Sequence, residues 1–271
     1  MRTIIIAAVA FIICSCTQRS ERLTILHTND THSRIEAEKN GTGGALNRSI
    51  LIEQIRDSVG AESTLLFDCG DFSQGSLYYN IYKGKIEIEL MNAIGYDAAT
   101  IGNHEFDSGL SNLAELIKRA KFPIVCANYD FSGTVCEGLT KPYTVIGRKG
   151  IRIGVFGVSP DPSGLVLKEY YEGVKFISPI EAANSCVEAL KRKKCDIIIC
   201  LSHLGWNIGN EYNDERLAAE TAGIDIILGG HSHDLFEHPL RYTNKAGKEV
   251  IMQQAGKHCR NIGSISVEIR K

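Results

Sequence analysis

The sequence predicts an α/β fold in one domain, with two packed sheets flanked by helices. Short apolar runs of strand length alternate with segments that have the 3.6-residue periodicity of helices. No repeat, low-complexity tract or interdomain linker interrupts this alternation. With 271 residues, 44% of them hydrophobic, the chain is long enough for one sizeable core or at most two small domains.

The first sixteen residues are predicted to be a targeting segment. Arg2 supplies a positive charge, residues 4–13 are apolar, and Cys16 follows closely. The apolar run is too short for a permanent transmembrane helix. A cysteine so placed resembles the bacterial lipobox, so we expect a lipoprotein signal peptide at residues 1–15, a lipid on Cys16 and a tether at 16–22. The protein would then be lipid-anchored in the bacterial cell envelope, periplasmic or on the outer membrane; a plain secretory signal is the alternative.

The folded domain is expected to span residues 23–271 and to contain five strands with a polar residue shortly after each. These apolar runs are residues 23–26, 64–67, 98–101, 196–201 and 225–228. Open α/β folds place their ligands outside the carboxyl ends of the strands. We therefore expect the polar residues to meet at one edge of a sheet.

Helices and hairpins account for much of the remaining chain. Helical periodicity marks residues 44–59, 86–94, 110–119 and 181–191. Two strand-like runs, 143–146 and 151–158, surround Arg148-Lys149-Gly150, which is typical of a hairpin. A similar pairing is expected between residues 249–254 and 264–269.

Charge argues against polymeric nucleic acid as a partner. The chain has 30 Lys and Arg against 32 Asp and Glu, a net charge of -2, and no basic stripe that would hold a phosphate backbone. The one sustained basic run, residues 191–194, follows a helical segment and is expected at a solvated helix C-terminus.

The number and spacing of the cysteines do not indicate a zinc-knuckle site. Of nine cysteines, Cys14 would leave with the signal peptide and Cys16 would carry lipid, so seven remain, an odd number that cannot all pair. Their spacing lacks the C-x-x-C pattern. Cys126 and Cys136 flank a short loop, but proximity alone does not predict a disulfide.

Seven side chains form a candidate metal site. Two carboxylates, one amide and four imidazoles mix hard oxygen with borderline nitrogen, which suits Mn, Zn, Fe or Co. These residues are Asp30, His32, Asp71, Asn103, His203, His231 and His233.

Five motifs surround these side chains in order: residues 27–32 (HTNDTH), 70–76 (GDFSQGS), 102–107 (GNHEFD), 202–205 (SHLG) and 229–233 (GGHSH). From about residue 23 to its end, the chain resembles the N-terminal metallophosphatase domain of the bacterial 5'-nucleotidase family, within the calcineurin-like phosphoesterases. The Phe-Asp ending of the third motif is typical of the nucleotidase branch. The resemblance implies a four-layer α-β-β-α sandwich of two mixed sheets flanked by helices.

The resemblance also implies two divalent ions and a hydrolytic role. The ligands would form two sets around a shared carboxylate: Asp30, His32 and His233 for one ion, Asn103, His203 and His231 for the other, and Asp71 for both. A metal-bridging hydroxide would attack phosphorus. His104, oriented by Asp107, would stabilise the transition state or the leaving group. Glu105 is not a ligand in the family.

Nucleoside 5'-monophosphates or related nucleotides are the substrates that the resemblance implies. Full-length members carry a C-terminal substrate-binding domain, which we expect to be absent here, so a separate chain resembling that domain is an expected partner. The substrate-binding residues stay unassigned. Two alternatives remain open. The same site would act on a phosphodiester, a nucleotide-sugar diphosphate or a thiosulfohydrolase-type substrate, or the protein would be a non-catalytic subunit of a two-chain nucleotidase.

Other polar residues near the motifs receive weaker predictions. His27 is expected to fix the end of a strand, and His258 to be isolated, structural or exposed. Trp206 and Asn207 are expected to border the pocket. For Arg34, contact with a phosphate and a solvated position both remain open.

Overall fold

The structure is a computed structural model that describes residues 20–270. The predicted signal peptide and Cys16 lie outside the described residues, as does the first part of the tether. In the part of the chain that is described, every helix falls short of the length and apolarity that a membrane crossing requires.

Twelve strands form within residues 20–270. They are β1 (Ser20–Thr28), β2 (Thr64–Asp68), β3 (Ala98–Ala99), β4 (Tyr129–Asp130), β5 (Tyr143–Arg148), β6 (Ile151–Val158), β7 (Lys175–Phe176), β8 (Ile197–Ser202), β9 (Ile226–Leu228), β10 (Leu240–Thr243), β11 (Glu249–Gln253) and β12 (Gly263–Arg270). Strand β1 begins three residues before the predicted start of the domain.

Two mixed sheets are built from most of these strands. The first has the order β12-β1-β2-β3, in which β1, β2 and β3 are parallel and β12 is antiparallel to β1. The second has the order β10-β11-β9-β8-β6-β5, with a parallel centre and an antiparallel strand at each edge. Strands β4 and β7 form a separate pair.

Six α-helices lie within the described residues. They are α1 (Ala45–Val59), α2 (Leu77–Tyr82), α3 (Lys85–Ile94), α4 (Gly109–Arg119), α5 (Pro179–Arg192) and α6 (Asp214–Glu220). All four predicted helices are found. The short helices α2 and α6 were not predicted, because six or seven residues are too few to show a helical period; each begins after a side-chain cap, Ser76 and Asn213 respectively.

The main core lies between the sheets. Ile25 and Leu65 of the first sheet and Val155 and Ile199 of the second are fully buried in the same cluster. Side chains alternate along a strand, so Leu26, next to Ile25, belongs to a second cluster with residues of α1, α3 and α4.

A third cluster covers the other face of the second sheet, where Phe156 and Cys200 pack with Val187 of α5 and Leu217 of α6. The resulting order of helix, sheet, sheet and helix layers confirms the predicted four-layer sandwich.

One predicted pairing is wrong. The hairpin of β5 and β6 is present, but β11 and β12 lie in different sheets: β11 runs between β9 and β10, whereas β12 pairs with β1 at the other end of the chain. Both strands have the apolar pattern of a sheet member, and that pattern does not specify the partner.

All seven cysteines within residues 20–270 are free thiols, including Cys126 and Cys136. Burial raises the pKa of each of these two thiols to about 11. They are therefore protonated and unreactive at neutral pH.

Candidate metal centre

The seven predicted ligands follow strands of both sheets. Asp30, Asp71 and Asn103 come after β1, β2 and β3 of the first sheet, whereas His203 and His231 come after β8 and β9 of the second. The expectation of one edge of a single sheet is therefore wrong. The site lies where the carboxyl ends of two packed sheets share a rim.

The backbone at these strand ends is unusual. Five candidate ligands have a positive φ angle: Asp30 (49°), His32 (46°), Asp71 (55°), His231 (73°) and His233 (62°). This left-handed region costs a residue other than glycine about 1 to 3 kcal/mol. Such a conformation persists only where the surrounding structure holds it. Directing these side chains into the site therefore lowers the free energy of unfolding of the protein.

One group of candidate ligands consists of Asp30, His32 and His233, whose ligand atoms all lie within 4.8 Å of one another. The Nε2 atoms of His32 and His233 are 3.1 Å apart, and Oδ1 of Asp30 lies 3.3 Å from Nε2 of His233. Three potential electron-pair donors thus face a common point, which is the arrangement of a metal site.

A second group consists of Asp71, His203 and His231, also within 4.8 Å. His203 Nδ1 lies 2.6 Å from the carbonyl oxygen of Cys69 and donates to it, since a carbonyl can only accept. The proton on Nδ1 leaves Nε2, 3.0 Å from Asp71 Oδ2, as the atom that would bind an ion. Without an ion, burial lowers the pKa of His203, but the charge of Asp71 outweighs burial and raises this pKa to about 10, so Nε2 then carries a proton. A second hydrogen bond that orients the ligating ring in this way is typical of metal-bound histidine.

Unpaired polar atoms support this assignment. Within residues 20–270, Asn103 Oδ1 is buried without a hydrogen-bond partner, and buried His203 Nε2 has none besides the carboxylate of Asp71 at 3.0 Å. An unsatisfied buried polar atom costs about 1 to 3 kcal/mol. A divalent cation would satisfy both atoms, and carboxylate, amide and imidazole donors fit such an ion.

Asp71 connects the two groups. Its ligand atoms also lie within 4.8 Å of those of His32 and His104, so it touches both sides of the site. Burial raises the pKa of Asp71, but the charge of His203 and the neighbouring histidines outweighs burial and holds this pKa well below its usual range. The carboxylate is ionised at neutral pH.

His104 and Asp107 form a pair beside the candidate ligands. His104 Nδ1 lies 2.8 Å from Asp107 Oδ2, and the His104 backbone N–H donates to Asp71 Oδ1 at 2.9 Å. Burial lowers the pKa of His104, but the hydrogen bond to Asp107 and the charge of Asp71 outweigh it and raise the pKa to about 9. The imidazole is thus positioned as a charged donor at the edge of the site.

Glu105 is a buried carboxylate that binds the backbone of the loops carrying candidate ligands. It is buried and accepts three backbone N–H groups, from Asp71 (2.9 Å), Gly102 (2.6 Å) and Ser73 (3.0 Å). Both carboxylate oxygens are used in this way. Glu105 therefore joins the loop after β2 to the loop after β3, in agreement with its exclusion as a ligand.

Asn29 was missed in the sequence. Its Nδ2 group donates to Asp30 Oδ2 (2.6 Å) and to the carbonyl of Gly256 (2.7 Å), and its Oδ1 accepts from Ala255 N. It ties the first ligand to a segment more than 200 residues away in the chain, and no local sequence signal indicates such a contact.

The prediction that His258 is isolated is wrong. Its backbone N–H donates to the carbonyl of Asp30 at 2.8 Å, and its ring centroid lies 5.7 Å from that of His32. His27 is fully buried in β1 opposite Gly263 of β12, where burial lowers its pKa to about 4. Trp206 contacts the loop of His231 through a bond from its backbone N–H to Ser232 Oγ, 3.0 Å long.

A groove of about 960 Å³ starts beside the candidate ligands. Its walls include Ser33 and Arg34, which directly follow His32, and residues 74–82. Gly75 lies against His32, because a Cβ built on this glycine would stand 3.0 Å from the His32 carbonyl. The groove therefore lies between the residues that follow His32 and the surface of α2, and none of the seven candidate ligands lines it.

Comparisons with known proteins agree with the fold and the motifs. Residues 23–235 match the family model described as calcineurin-like phosphoesterase. The 5'-nucleotidase of Rattus norvegicus is 31% identical over 93% of this chain and 47% of its own length. The chain thus spans about half the length of the curated relatives it matches.

Two solved structures are also similar. The 5'-nucleotidase precursor of Thermus thermophilus superposes with a TM-score of 0.82 at 34% identity, covering 91% of this chain and 51% of that one. The calcineurin-like phosphoesterase YfkN of Bacillus subtilis has a TM-score of 0.79 at 28% identity and covers 93% and 86%. The resemblance inferred from the five motifs is confirmed, and the protein belongs to the calcineurin-like phosphoesterase family.

Proposed function

We propose that the protein is a phosphoesterase that uses two divalent metal ions to remove phosphate from nucleoside 5'-monophosphates or related nucleotides. One observation carries the proposal. Six of the candidate ligands, from two sheets, converge as two groups of donors, with Asp71 close to His32 on one side and to His203 and His231 on the other. Divalent ions held there would activate a water molecule and offset charge on the phosphoryl oxygens.

Different residues would hold the two ions. Asp30, His32 and His233 would hold one ion; a second set would hold the other, consisting of Asn103, His203 and His231. Asp71 would serve both, because two neighbouring cations need a shared anion to offset their repulsion. Mn, Zn, Co and Fe all suit these donors.

His104 would act on the ester itself. As a charged donor within reach of Asp71 and His32, it would stabilise negative charge on the phosphoryl group or give a proton to the leaving oxygen. The bond to Asp107 holds the ring with Nε2 available for that contact.

The substrate class rests on the relatives and on the groove. Several relatives are named 5'-nucleotidases. A groove of about 960 Å³ bordered by Tyr78 and Tyr82 has room for a nucleoside beside the metal ions. We place the organic part of the ester there.

The test is phosphate release by the purified, Mn-loaded protein from AMP, p-nitrophenyl phosphate and bis-(p-nitrophenyl) phosphate. Release from AMP that disappears in a chelator, returns with Mn and is lost in Asp71→Ala would support the proposal. Preference for the diester would instead favour the phosphodiesterase alternative. Binding of Mn without turnover of any ester would favour a non-catalytic subunit.

We also propose that a unit resembling the other half of the nucleotidase relatives contributes to substrate choice, as a separate chain. A kcat/KM for AMP no higher than for p-nitrophenyl phosphate would support this. A strong preference for AMP by the protein alone would contradict it.

We further propose that Cys16 carries a lipid that anchors the protein in the bacterial cell envelope. The lipobox-like end of the apolar segment supports it. Mass spectrometry of the protein from a detergent-extracted membrane fraction tests it; an unmodified Cys16, or a mature chain that starts elsewhere, would contradict it.

A further inference from the structure

Asp214 is a fully buried carboxylate outside the candidate ligand groups. It is the first residue of α6, and its backbone N–H donates to the carbonyl of Gly205 at 2.8 Å. Gly205 lies two residues after His203, so Asp214 stands beside the loop that leaves β8. A buried carboxylate persists where hydrogen bonds satisfy its oxygens, and its partners therefore indicate its role.

One carboxylate oxygen of Asp214 binds the segment that carries His203. Ser202 Oγ donates to Asp214 Oδ1 and accepts the backbone N–H of Leu204 at 3.2 Å. Ser202 and Leu204 lie on either side of His203, so these two bonds fix the backbone of that candidate ligand at the end of β8. Asp214 orients the hydroxyl that makes both bonds.

The other carboxylate oxygen faces the loop of His231. A Cβ built on Gly229 would stand 2.5 Å from Asp214 Oδ2 and 3.0 Å from Gln254 Nε2. Both atoms therefore pack against the backbone two residues before His231. Within residues 20–270 neither atom has a hydrogen-bond partner of normal geometry, and a carboxylate oxygen and an amide N–H group complement each other.

The orientation of the Gln254 amide is set from its other end. Gln254 Oε1 accepts from Ser232 Oγ at 3.1 Å and from Asp234 N at 3.2 Å. Its oxygen is thus turned toward the loop after β9, and its NH₂ group is the end near Asp214. Ser232 directly follows His231, so Gln254 connects Asp214 with the segment that carries this candidate ligand.

These contacts place one carboxylate behind candidate ligands of two neighbouring strands, β8 and β9. Resting on the proposed function, we infer that Asp214 is a positioning residue for His203 and His231. It acts through Ser202 on the first and through Gln254 on the second. Partners that orient metal ligands commonly contribute about 10- to 100-fold in metal affinity. The ion that both histidines hold is therefore the one whose binding depends on Asp214.

The experiment is a calorimetric titration of the metal-free protein with Mn, in which the wild type should bind two ions. Asp214→Ala should weaken the binding of one ion about 10- to 100-fold and leave the other within about threefold. Asp214→Asn, whose side-chain oxygen can still accept a hydrogen bond, should restore most of the affinity. Ser202→Ala should weaken the same ion, and it removes only a hydroxyl group, so it provides the test if Asp214→Ala does not fold.

Asp225→Ala is the matched control. The carboxylate of Asp225 also joins β8 to β9, but at their opposite ends, through a 2.8 Å bond from the Ile198 backbone N–H. This variant should lower the melting temperature and change neither Mn affinity.

Two results would overturn the role of Asp214. A lower melting temperature in Asp214→Ala with both Mn affinities unchanged would mean that Asp214 only helps to begin α6. Equal weakening of both ions would mean that the effect is not directed at His203 and His231. Because the readout is metal binding, a wild type that binds two Mn ions and releases no phosphate from AMP would count against the proposed function and not against this inference.

Discussion

His104 shows how one side chain acquires its role from its neighbours. Its ring is held by Asp107 and its backbone by Asp71, while Nε2 remains available. In the sequence, this proposed role comes from the resemblance of the motif at residues 102–107 to the 5'-nucleotidase family. The raised pKa depends on the hydrogen bond to Asp107 and the charge of Asp71, which outweigh burial and which only the structure displays.

His104→Ala should lower kcat by about 10² to 10⁴-fold, the usual contribution of a general acid or base, with unchanged Mn content. Steady-state kinetics and elemental analysis of the dialysed protein measure the two quantities. His238→Ala, which removes an exposed histidine outside every candidate ligand group, should change neither. Loss of metal together with activity would make His104 a ligand instead.

Glu105→Gln should destabilise the protein by about 1 to 3 kcal/mol. The glutamine amide has one acceptor oxygen, so at least one of the three N–H groups now bonded to Glu105 loses its partner. Mn affinity should fall about 10- to 100-fold, because Asp71 is held by this contact. Urea denaturation and Mn titration provide the two readouts.

The control for Glu105→Gln is Glu89→Gln, an exposed position on α3, which should stay within about 0.5 kcal/mol of the wild type. If Glu105→Gln were as stable as Glu89→Gln, Glu105 would not join the loop after β2 to the loop after β3.

At the scale of elements, local pattern explains what could be predicted. The apolar periodicity of α1, α3, α4 and α5 and the hairpin turn at residues 148–150 are properties of contiguous segments, and each is present. Pairing across the chain is not local. The pairing of β12 with β1, and the return of residues 255–260 to Asn29 and Asp30, depend on segments more than 200 residues apart, so neither was predicted.

The left-handed backbone at five candidate ligands is a further feature that sequence does not show. Glycine, or sometimes asparagine, marks such a conformation in a sequence. Here aspartate and histidine adopt it, because loops from both sheets hold them in place.

The contact of β1 with β12 gives a prediction at this scale. A Cβ on Gly263 would overlap the ring of His27, which is fully buried. Gly263→Ala should therefore lower stability by about 1 to 3 kcal/mol, as overpacking does. Gly147→Ala in β5, where a Cβ would meet no atom within 4 Å, should be nearly neutral. Thermal denaturation of both variants measures the difference; equal stability would mean that β12 shifts without cost.

At the scale of the whole molecule, the candidate metal centre joins the two sheets. The first sheet supplies Asp30 and Asp71 and the second supplies His203 and His231, so an ion bound there would cross-link them. Bound ligand stabilises the native state by mass action, about 2.7 kcal/mol at one hundred times Kd.

Mn should accordingly raise the melting temperature, and a chelator should reverse the increase. In Asp71→Ala most of the increase should be lost. A melting temperature that does not respond to Mn in the wild type would contradict a site that spans both sheets.

The long sequence separation within the site also determines when it can form. His32 and His233 meet across 201 positions of the chain, and closing so long a loop costs chain entropy before the contact can form. A complete set of donors therefore does not exist until both sheets have docked. If the contacts between the carboxyl ends of the two sheets are absent from the folding transition state, bound metal will slow unfolding and leave the folding rate nearly unchanged. The ions would then lengthen the lifetime of the native protein without changing how fast it folds.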